Sequence, residues 1–171
     1  MKKINENIKI YFFPISIIFI LAFSRLIPHP PNFTPIIAAA VISPYLFKNI
    51  YLSLGILLSS MFLSDLIIGL YSNFIFIYLS LFLVIIIQSK IVKKITFKNL
   101  FIYSINASVI FFVTSNFSVW MFSNLYEKSF NGLIYCYILA IPFFINTVLS
   151  TIFFSYLAYV IANFGYKKIY N

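Results

Sequence analysis

The chain has 171 residues, of which 63% are hydrophobic and only 9% are charged, and its formal net charge is +9. About a quarter of the residues are charged in an ordinary soluble domain. The 12 basic and three acidic side chains therefore cannot give a particle of this size a water-compatible surface. This composition excludes a soluble enzyme and a disordered segment, and it predicts an integral membrane protein.

Six hydrophobic runs follow one another along the chain, and each is predicted to form a transmembrane α-helix. About 20 helical residues cross a hydrocarbon core of about 30 Å, so the second run is too short to cross upright. The predicted fold class is an all-α bundle of six transmembrane helices in a single domain, residues 1–171. In chain order, the runs cover residues 10–27, 34–47, 50–70, 74–89, 100–122 and 142–164.

The final hydrophobic stretch leaves two arrangements open. One helix over residues 132–164 would be about 50 Å long, which exceeds the thickness of the bilayer. Because proline is favourable in the first turn of a helix, a last span from Pro142 fits better, with residues 123–141 as an outer re-entrant or capping segment. Asn146 then lies within about 6 Å of the outer boundary. A helix that runs unbroken through Pro142 would instead place Asn146 in the inner half.

The lysines indicate how the chain is oriented in the membrane. With six spans and a cytoplasmic N-terminus, ten of the eleven lysines lie on the cytoplasmic face and only Lys128 lies outside. Adding or removing one span destroys this asymmetry, so the positive-inside rule predicts that both termini are cytoplasmic. A competing interpretation takes Ala22-Phe23-Ser24 as a signal-peptidase site, which leaves five spans and puts the lysines out of register. In the six-span topology the basic surplus attracts anionic lipids of the bilayer, and no nucleic-acid partner is expected.

A proline-rich loop follows the first span and contains three polar residues of interest. Four of the eight residues from Pro28 to Pro35 are proline, which ends the helix and stiffens the loop. A rigid loop of this kind can present Arg25, His29 and Asn32 to a ligand. The alternative is a plain helix-terminating turn in which Arg25 reaches the lipid headgroups.

Asp65 is the only acidic residue inside any predicted span, and an intramembrane carboxylate is costly enough to indicate a functional site. Counted from the inner ends of their spans, Asp65 and Arg25 both lie about 15 residues out, roughly 22 Å from the cytoplasmic boundary. We therefore expect an ion pair between the first and third spans. The pair is either a structural lock or part of a ligand site.

Asn116 and Trp120, near the outer end of the fifth span, are four residues apart and share a helix face. They lie about 24 Å from the inner boundary, close to the level of Arg25 and Asp65. A buried amide needs a hydrogen-bonding partner, which at this height is Arg25, Asp65 or a ligand. Trp120 is alternatively an ordinary interfacial aromatic residue.

The chain lacks the combinations of residues that an intramembrane enzyme would need. The chain has one Cys and one His, and His29, Cys136 and Asp65 lie on separate segments. Neither a metal site nor a nucleophile–histidine pair within the bilayer is therefore predicted. We expect no catalytic residues, no metal and no cofactor.

These motifs together resemble a bacterial family of small membrane proteins of uncharacterised function. More distantly, the layout is similar to the substrate-binding S components of energy-coupling-factor (ECF) vitamin transporters. The resemblance is carried by Arg25–Pro35, Ser64-Asp65 with Gly69, Asn116–Trp120, Gly132-Leu133 and Ile141–Phe144 with Asn146.

The resemblance to S components implies a six-helix bundle in the bacterial cytoplasmic (inner) membrane, with an outward-facing pocket closed by outer loops. It also implies a partner, a transmembrane coupling subunit with two cytoplasmic ATPases, and the chain itself contains no Walker sequence. S components dock through an Ala-x-x-x-Ala step on the first span. Residues 10–27 contain no such pair.

The functional hypothesis is a transport subunit that captures a small, anionic or amide-bearing metabolite. Arg25 would pair with a carboxylate or phosphate, and Trp120 and Tyr135 would supply stacking area. The alternatives are a membrane scaffold or assembly protein with a structural Arg25–Asp65 lock and, as a weaker one, an ion or proton conductor. The predicted pocket residues are Arg25, His29, Asn32, Asp65, Asn116, Trp120, Tyr135 and Asn146.

Overall fold

The computed structural model describes residues 2–70 and 74–170, and this part of the chain contains six α-helices and no β-strand. Helices α2 to α5 agree with the predicted spans to within three residues at each end. The predicted all-α architecture is confirmed. The helices are α1 (Lys2–Leu26), α2 (Ile36–Phe47), α3 (Ile50–Ile68), α4 (Phe74–Ile91), α5 (Phe97–Phe122) and α6 (Phe130–Tyr170).

Four of the described helices are long and apolar enough to cross a membrane. They are α3, α4, α5 and the Phe130–Ala162 part of α6. Helix α2 and the Phe12–Leu26 part of α1 are apolar but shorter. The chain therefore has the helices of a membrane protein, as its composition predicts.

The short helix α2 lies at the centre of the bundle, where it packs against α3, α4, α5 and α6. Seven of its 12 residues are buried, because small and apolar side chains occupy all of its sides. Pro35 precedes its first residue, and Lys48 ends it in the left-handed conformation with a φ of 51°. Asn49 then caps α3 by accepting hydrogen bonds from the N–H groups of Tyr51 and Leu52.

Helix α6 begins at Phe130 and continues through Pro142 without interruption. The predicted helix start at Pro142, after a capping segment over residues 123–141, is therefore wrong. Proline removes one backbone hydrogen bond from a helix interior, but α5 supports the first turns of α6. The Tyr137 hydroxyl donates to the carbonyl oxygen of Val113 at 2.7 Å. Contacts between neighbouring helices thus extend α6 beyond the length that a bilayer requires.

The segment that connects α5 to α6 passes close to Gly132, the third residue of α6. A Cβ atom at this position would lie 2.1 Å from the carbonyl oxygen of Glu127, well inside van der Waals contact. The Ser129 hydroxyl also caps the helix here, because it accepts a hydrogen bond from the N–H of Gly132 at 3.1 Å. This close approach of two backbone segments requires glycine.

We expect Gly132→Ala to lower the thermal stability of the detergent-solubilised protein by the equivalent of about 1–3 kcal/mol, as overpacking does. The matched control is Gly55→Ala in α3, where no atom lies within 4 Å of the added Cβ. Alanine is favoured over glycine inside a helix by about 0.5–1 kcal/mol, so the control should melt no lower than the wild type. Equal melting temperatures for the two variants would contradict the close approach at Gly132.

Candidate binding site

A cavity of about 400 Å³ lies at the end of the bundle where the proline-rich loop connects α1 to α2. Its volume is within the range of about 300–1,000 Å³ that is typical of small-molecule sites. All six helices and the loop contribute to its wall. The polar lining residues are Arg25, His29, Asn32, Thr34, Ser115, Asn116 and Thr147. The apolar ones are Ile36, Ile37, Met61, Ile77, Leu81, Phe111, Phe112, Val119, Phe143 and Phe144.

The ion pair predicted between the first and third helices is confirmed. Nη1 of Arg25 lies 2.7 Å from Oδ1 of Asp65. Asp65 is fully buried behind the cavity wall, whereas the Arg25 side chain is 15% exposed and lines the cavity. Counting equal depths from the inner helix ends therefore identified both partners.

Neighbouring groups add hydrogen bonds to both members of the pair. Nη1 of Arg25 also donates to the carbonyl oxygen of Met61 at 3.1 Å and to the hydroxyl of Ser64. The second carboxylate oxygen of Asp65, Oδ2, accepts from the Tyr78 hydroxyl at 2.8 Å. The pair thus joins α1, α3 and α4 beside the cavity. All polar contacts of Arg25 with the described residues are made by Nη1, so the hydrogens on Nη2 and Nε remain for a ligand.

The proline-rich loop is fastened to α6 by two hydrogen bonds. Asn146 donates through Nδ2 to the carbonyl oxygen of Pro31 at 3.0 Å, and Ser150 donates through Oγ to that of Asn32 at 3.3 Å. Asn146 therefore lies at the level of the loop although α6 is unbroken. The expectation that an unbroken helix removes Asn146 from this level is wrong. Helix α6 begins 16 residues before Asn146, and this first part, about 24 Å long, extends past the level of the loop.

Hydrogen bonds already made by His29 and Asn116 determine what these cavity residues can offer a ligand. Nδ1 of His29 lies 2.5 Å from the carbonyl oxygen of Ile27. Because a carbonyl only accepts, Nδ1 carries the proton, and Nε2 of the neutral ring is an acceptor. Asn116 donates through Nδ2 to the carbonyl oxygen of Phe112 at 2.8 Å, which leaves Oδ1 as an acceptor and the second hydrogen on Nδ2 as a donor. Within the described residues, no group of three His, Cys, Asp or Glu side chains could hold a metal ion.

The structure does not bring Trp120 and Tyr135 to the cavity. The indole Nε1 of Trp120 donates to the carbonyl oxygen of Glu127 at 2.9 Å and so fastens the connection between α5 and α6. Tyr135 is 62% exposed on α6. Height along a helix does not determine the side from which a ring projects, so the stacking role predicted for these two residues falls to others. The aromatic wall of the cavity consists of Phe111, Phe112, Phe143 and Phe144.

Two further polar contacts were missed by the sequence analysis. One is the Tyr78 hydroxyl on Asp65. The other joins α4 to α5, where the fully buried Gln88 donates through Nε2 to Oδ1 of Asn106 at 3.0 Å. In both cases a polar residue stands inside an apolar run of the sequence. Such a residue requires a hydrogen-bonding partner, so its presence could have predicted the contact.

The chain belongs to DUF6580, a family of unknown function whose model matches residues 5–170. Comparison with curated proteins and with solved structures found no match. The predicted membership of a family of uncharacterised function is confirmed, and the match covers nearly the whole chain. The similarity to ECF S components stays a prediction.

We expect Asp65→Asn to lower the free energy of unfolding by about 3–5 kcal/mol, because it leaves the buried end of Arg25 without a counter-charge. Tyr78→Phe removes only a hydroxyl donor and should cost less, about 1–3 kcal/mol. The double variant Arg25→Met with Asp65→Leu should recover much of the loss, since an apolar pair of similar volume needs no partner. Thermal unfolding in detergent measures all three. A melting temperature of Asp65→Asn equal to that of the wild type would show that the ion pair does not form.

Proposed function

We propose that this member of the DUF6580 family is a solute-binding subunit for membrane transport, which captures a small metabolite in an outward-facing cavity of a six-span bundle. Its architecture would be that of an ECF S component. The observation that carries the proposal is the cavity, where all six helices and the proline-rich loop meet. A concave, mostly apolar wall with a few converging polar groups is typical of sites for small ligands.

The roles of the lining residues follow from their chemistry. The phenylalanine wall would hold the body of the ligand. The free hydrogens of Arg25 would bind a carboxylate, a phosphate or an amide oxygen, and Asp65 would orient Arg25 from behind the wall. Asn116 and His29 would accept hydrogen bonds. Asn146 would act indirectly, by holding the proline-rich loop at the cavity.

The positions of the lysines support an outward orientation of the cavity. Lys48 and the pair Lys93-Lys94 lie in the α2–α3 and α4–α5 connections, at the end of the bundle opposite the proline-rich loop. Lys128 lies in the α5–α6 connection, at the same end as that loop. Under the positive-inside rule, the lysine-rich end faces the cytoplasm. We therefore propose that the cavity opens outward and that both termini are cytoplasmic, in the cytoplasmic membrane of a bacterium.

A capture subunit needs a partner that moves the solute, and we propose a transmembrane coupling subunit with ATPases. The chain contains no Walker sequence with which to bind ATP itself. Because residues 10–27 lack an Ala-x-x-x-Ala step, docking would use other side chains. Phe12, Phe19 and Phe23 are more than half exposed on α1 and face either lipid or this partner. We propose no catalytic activity.

A second candidate function is a membrane scaffold in which the Arg25–Asp65 pair is only a structural lock. It is favoured by the hydrogen bonds that the protein itself makes to the pair. Met61 and Ser64 accept from Arg25, and Tyr78 donates to Asp65. An ion or proton conductor is the weaker alternative. A proton relay needs several titratable groups, and Asp65 is the one buried acidic residue in the part of the chain whose side chains are described.

Cysteine labelling in intact cells tests the topology. Single cysteines would replace Lys94 and Lys128 in a chain in which the native Cys136 is changed to alanine. An impermeant thiol reagent should label Lys128→Cys in intact cells, and it should label Lys94→Cys only after the cells are permeabilised. Labelling of Lys94→Cys from outside would exclude the six-span topology.

A thermal-shift screen of vitamins, nucleobases and small organic acids tests solute capture. A ligand that binds only the folded protein stabilises it by about 2.7 kcal/mol at a hundredfold excess over Kd. The shift should be lost in Asn116→Ala and in Arg25→Lys, since lysine keeps the charge but lacks the guanidinium fork. Asn124→Ala, which changes an exposed asparagine of the α5–α6 connection, is the matched control and should keep the shift.

The same screen separates capture from scaffolding. A shift that disappears in both cavity variants and persists in the control supports capture through these residues. If no metabolite raises the melting temperature and Arg25→Lys behaves as the wild type does in cells, the polar groups form a structural lock and the transport proposal fails.

A further inference from the structure

We infer that the cavity takes an uncharged ligand, a planar ring that carries a carbonyl acceptor together with N–H donors, rather than an organic anion. The inference rests on the proposed capture function and narrows the ligand class of that same site. Two observations carry it: the charge balance beside the cavity and the hydrogen-bonding capacity that its lining residues have left.

The charge of Arg25 is already balanced by the protein. Its guanidinium lies 2.7 Å from the carboxylate of Asp65, which has no exposed surface of its own. A ligand carboxylate bound to Nη2 and Nε would share that guanidinium with Asp65, and the two like charges would repel each other. In the neutral ring of His29, whose Nδ1 donates to the carbonyl oxygen of Ile27, the lining adds no further positive charge. An anion would therefore bring a net negative charge into a mostly apolar cavity, which is unfavourable.

The helix residues at the cavity keep both acceptors and donors for a ligand. Ser115, Asn116 and Thr147 each donate to the carbonyl oxygen four residues earlier in their own helix. Each can therefore offer a ligand an oxygen atom as an acceptor. Nε2 of His29 is a further acceptor in the neutral ring. Two of these groups keep hydrogens to donate: Arg25 on Nη2 and Nε, and Asn116 the second hydrogen on Nδ2.

A complementary ligand must therefore bring acceptors for Arg25 and Asn116 together with N–H or O–H donors for the oxygen atoms of Ser115 and Thr147. Carboxylates offer only acceptors, so they would leave the hydroxyl oxygens of Ser115 and Thr147 without a donor. An amide or lactam group offers both. The aromatic wall favours a flat ring between these polar groups, and the ring centroids of Phe112 and Phe144 are only 4.6 Å apart.

Matched pairs of probes test the inference. Nicotinamide and nicotinate share one ring, as do uracil and orotate, and the members of each pair differ by one negative charge. Isothermal titration calorimetry would measure their Kd values at pH 7.5 with the protein in nanodiscs of zwitterionic lipid, so that no lipid charge contributes. In the wild type, we expect the uncharged member of at least one pair to bind about tenfold or more tightly than its anionic partner.

Removing the counter-charge should change this preference. In Asp65→Asn the guanidinium of Arg25 has no carboxylate partner, so the ratio of the two Kd values should move by about tenfold or more toward the anion. Glu127→Gln is the matched control, because it removes one negative charge from the exposed α5–α6 connection. Its ratio should equal that of the wild type.

Each outcome bears on the inference or on the proposed function separately. Equal or tighter binding of the anion by the wild type overturns the inference but leaves solute capture intact. If the ratio of the two Kd values in Asp65→Asn equals that in the wild type, the counter-charge of Asp65 does not set the preference and the inference is overturned. Binding of none of the four probes overturns the named ligand class, and the proposed function fails only if the broader metabolite screen is empty as well. The wild-type ratio decides the inference alone if Asp65→Asn yields no folded protein.

Discussion

The buried ion pair between Arg25 and Asp65 determines how three helices meet beside the cavity. A carboxylate without exposed surface stays charged only where a counter-charge and hydrogen-bond donors compensate for lost hydration. Asp65 obtains its counter-charge from Arg25 and a hydrogen-bond donor from the hydroxyl of Tyr78. Because these three residues belong to α1, α3 and α4, the pair ties those helices together beside the cavity. In a bilayer, where lipid is as apolar as the side chains, polar contacts and close packing hold helices together.

The cavity results from the short central helix and from the loop that precedes it. Helix α2 has 12 residues, about 18 Å, and so it cannot fill the height of its longer neighbours. The cavity lies beside its first turn, at Ile36 and Ile37. The proline-rich loop covers this end of α2 and is held there by Asn146 and Ser150 of α6. The residues that shape the cavity and those that would bind a ligand are therefore partly different sets.

Counting along the helices predicted the ion pair but not the membership of the cavity. Arg25 and Asp65 were matched because an intramembrane charge has few possible partners, and depth alone identified them. Trp120 lies at the predicted height, yet its indole holds the backbone at Glu127. The continuity of α6 through Pro142 could not be predicted from the sequence either. The thickness of a bilayer favoured a helix break at Pro142. Contacts with α5, such as the hydrogen bond from the Tyr137 hydroxyl to the Val113 carbonyl oxygen, instead support the longer helix.

The sequence by itself determined the number of helices, their bounds from α2 to α5 and the pairing of Arg25 with Asp65. Each of these depends on local properties: apolar run length, prolines and lysines at the run ends, and the high cost of an isolated charge. Tertiary structure alone decided which side of each helix faces the cavity. Buried polar residues do mark the inward sides of α3 and α4, but none of them lines the cavity: they are Ser53, Ser60, Ser64 and Asp65 on α3 and Ser80 and Gln88 on α4. The rotation of each helix is set by the shapes of its neighbours, which is why phenylalanines of α5 and α6 form the wall predicted for Trp120 and Tyr135.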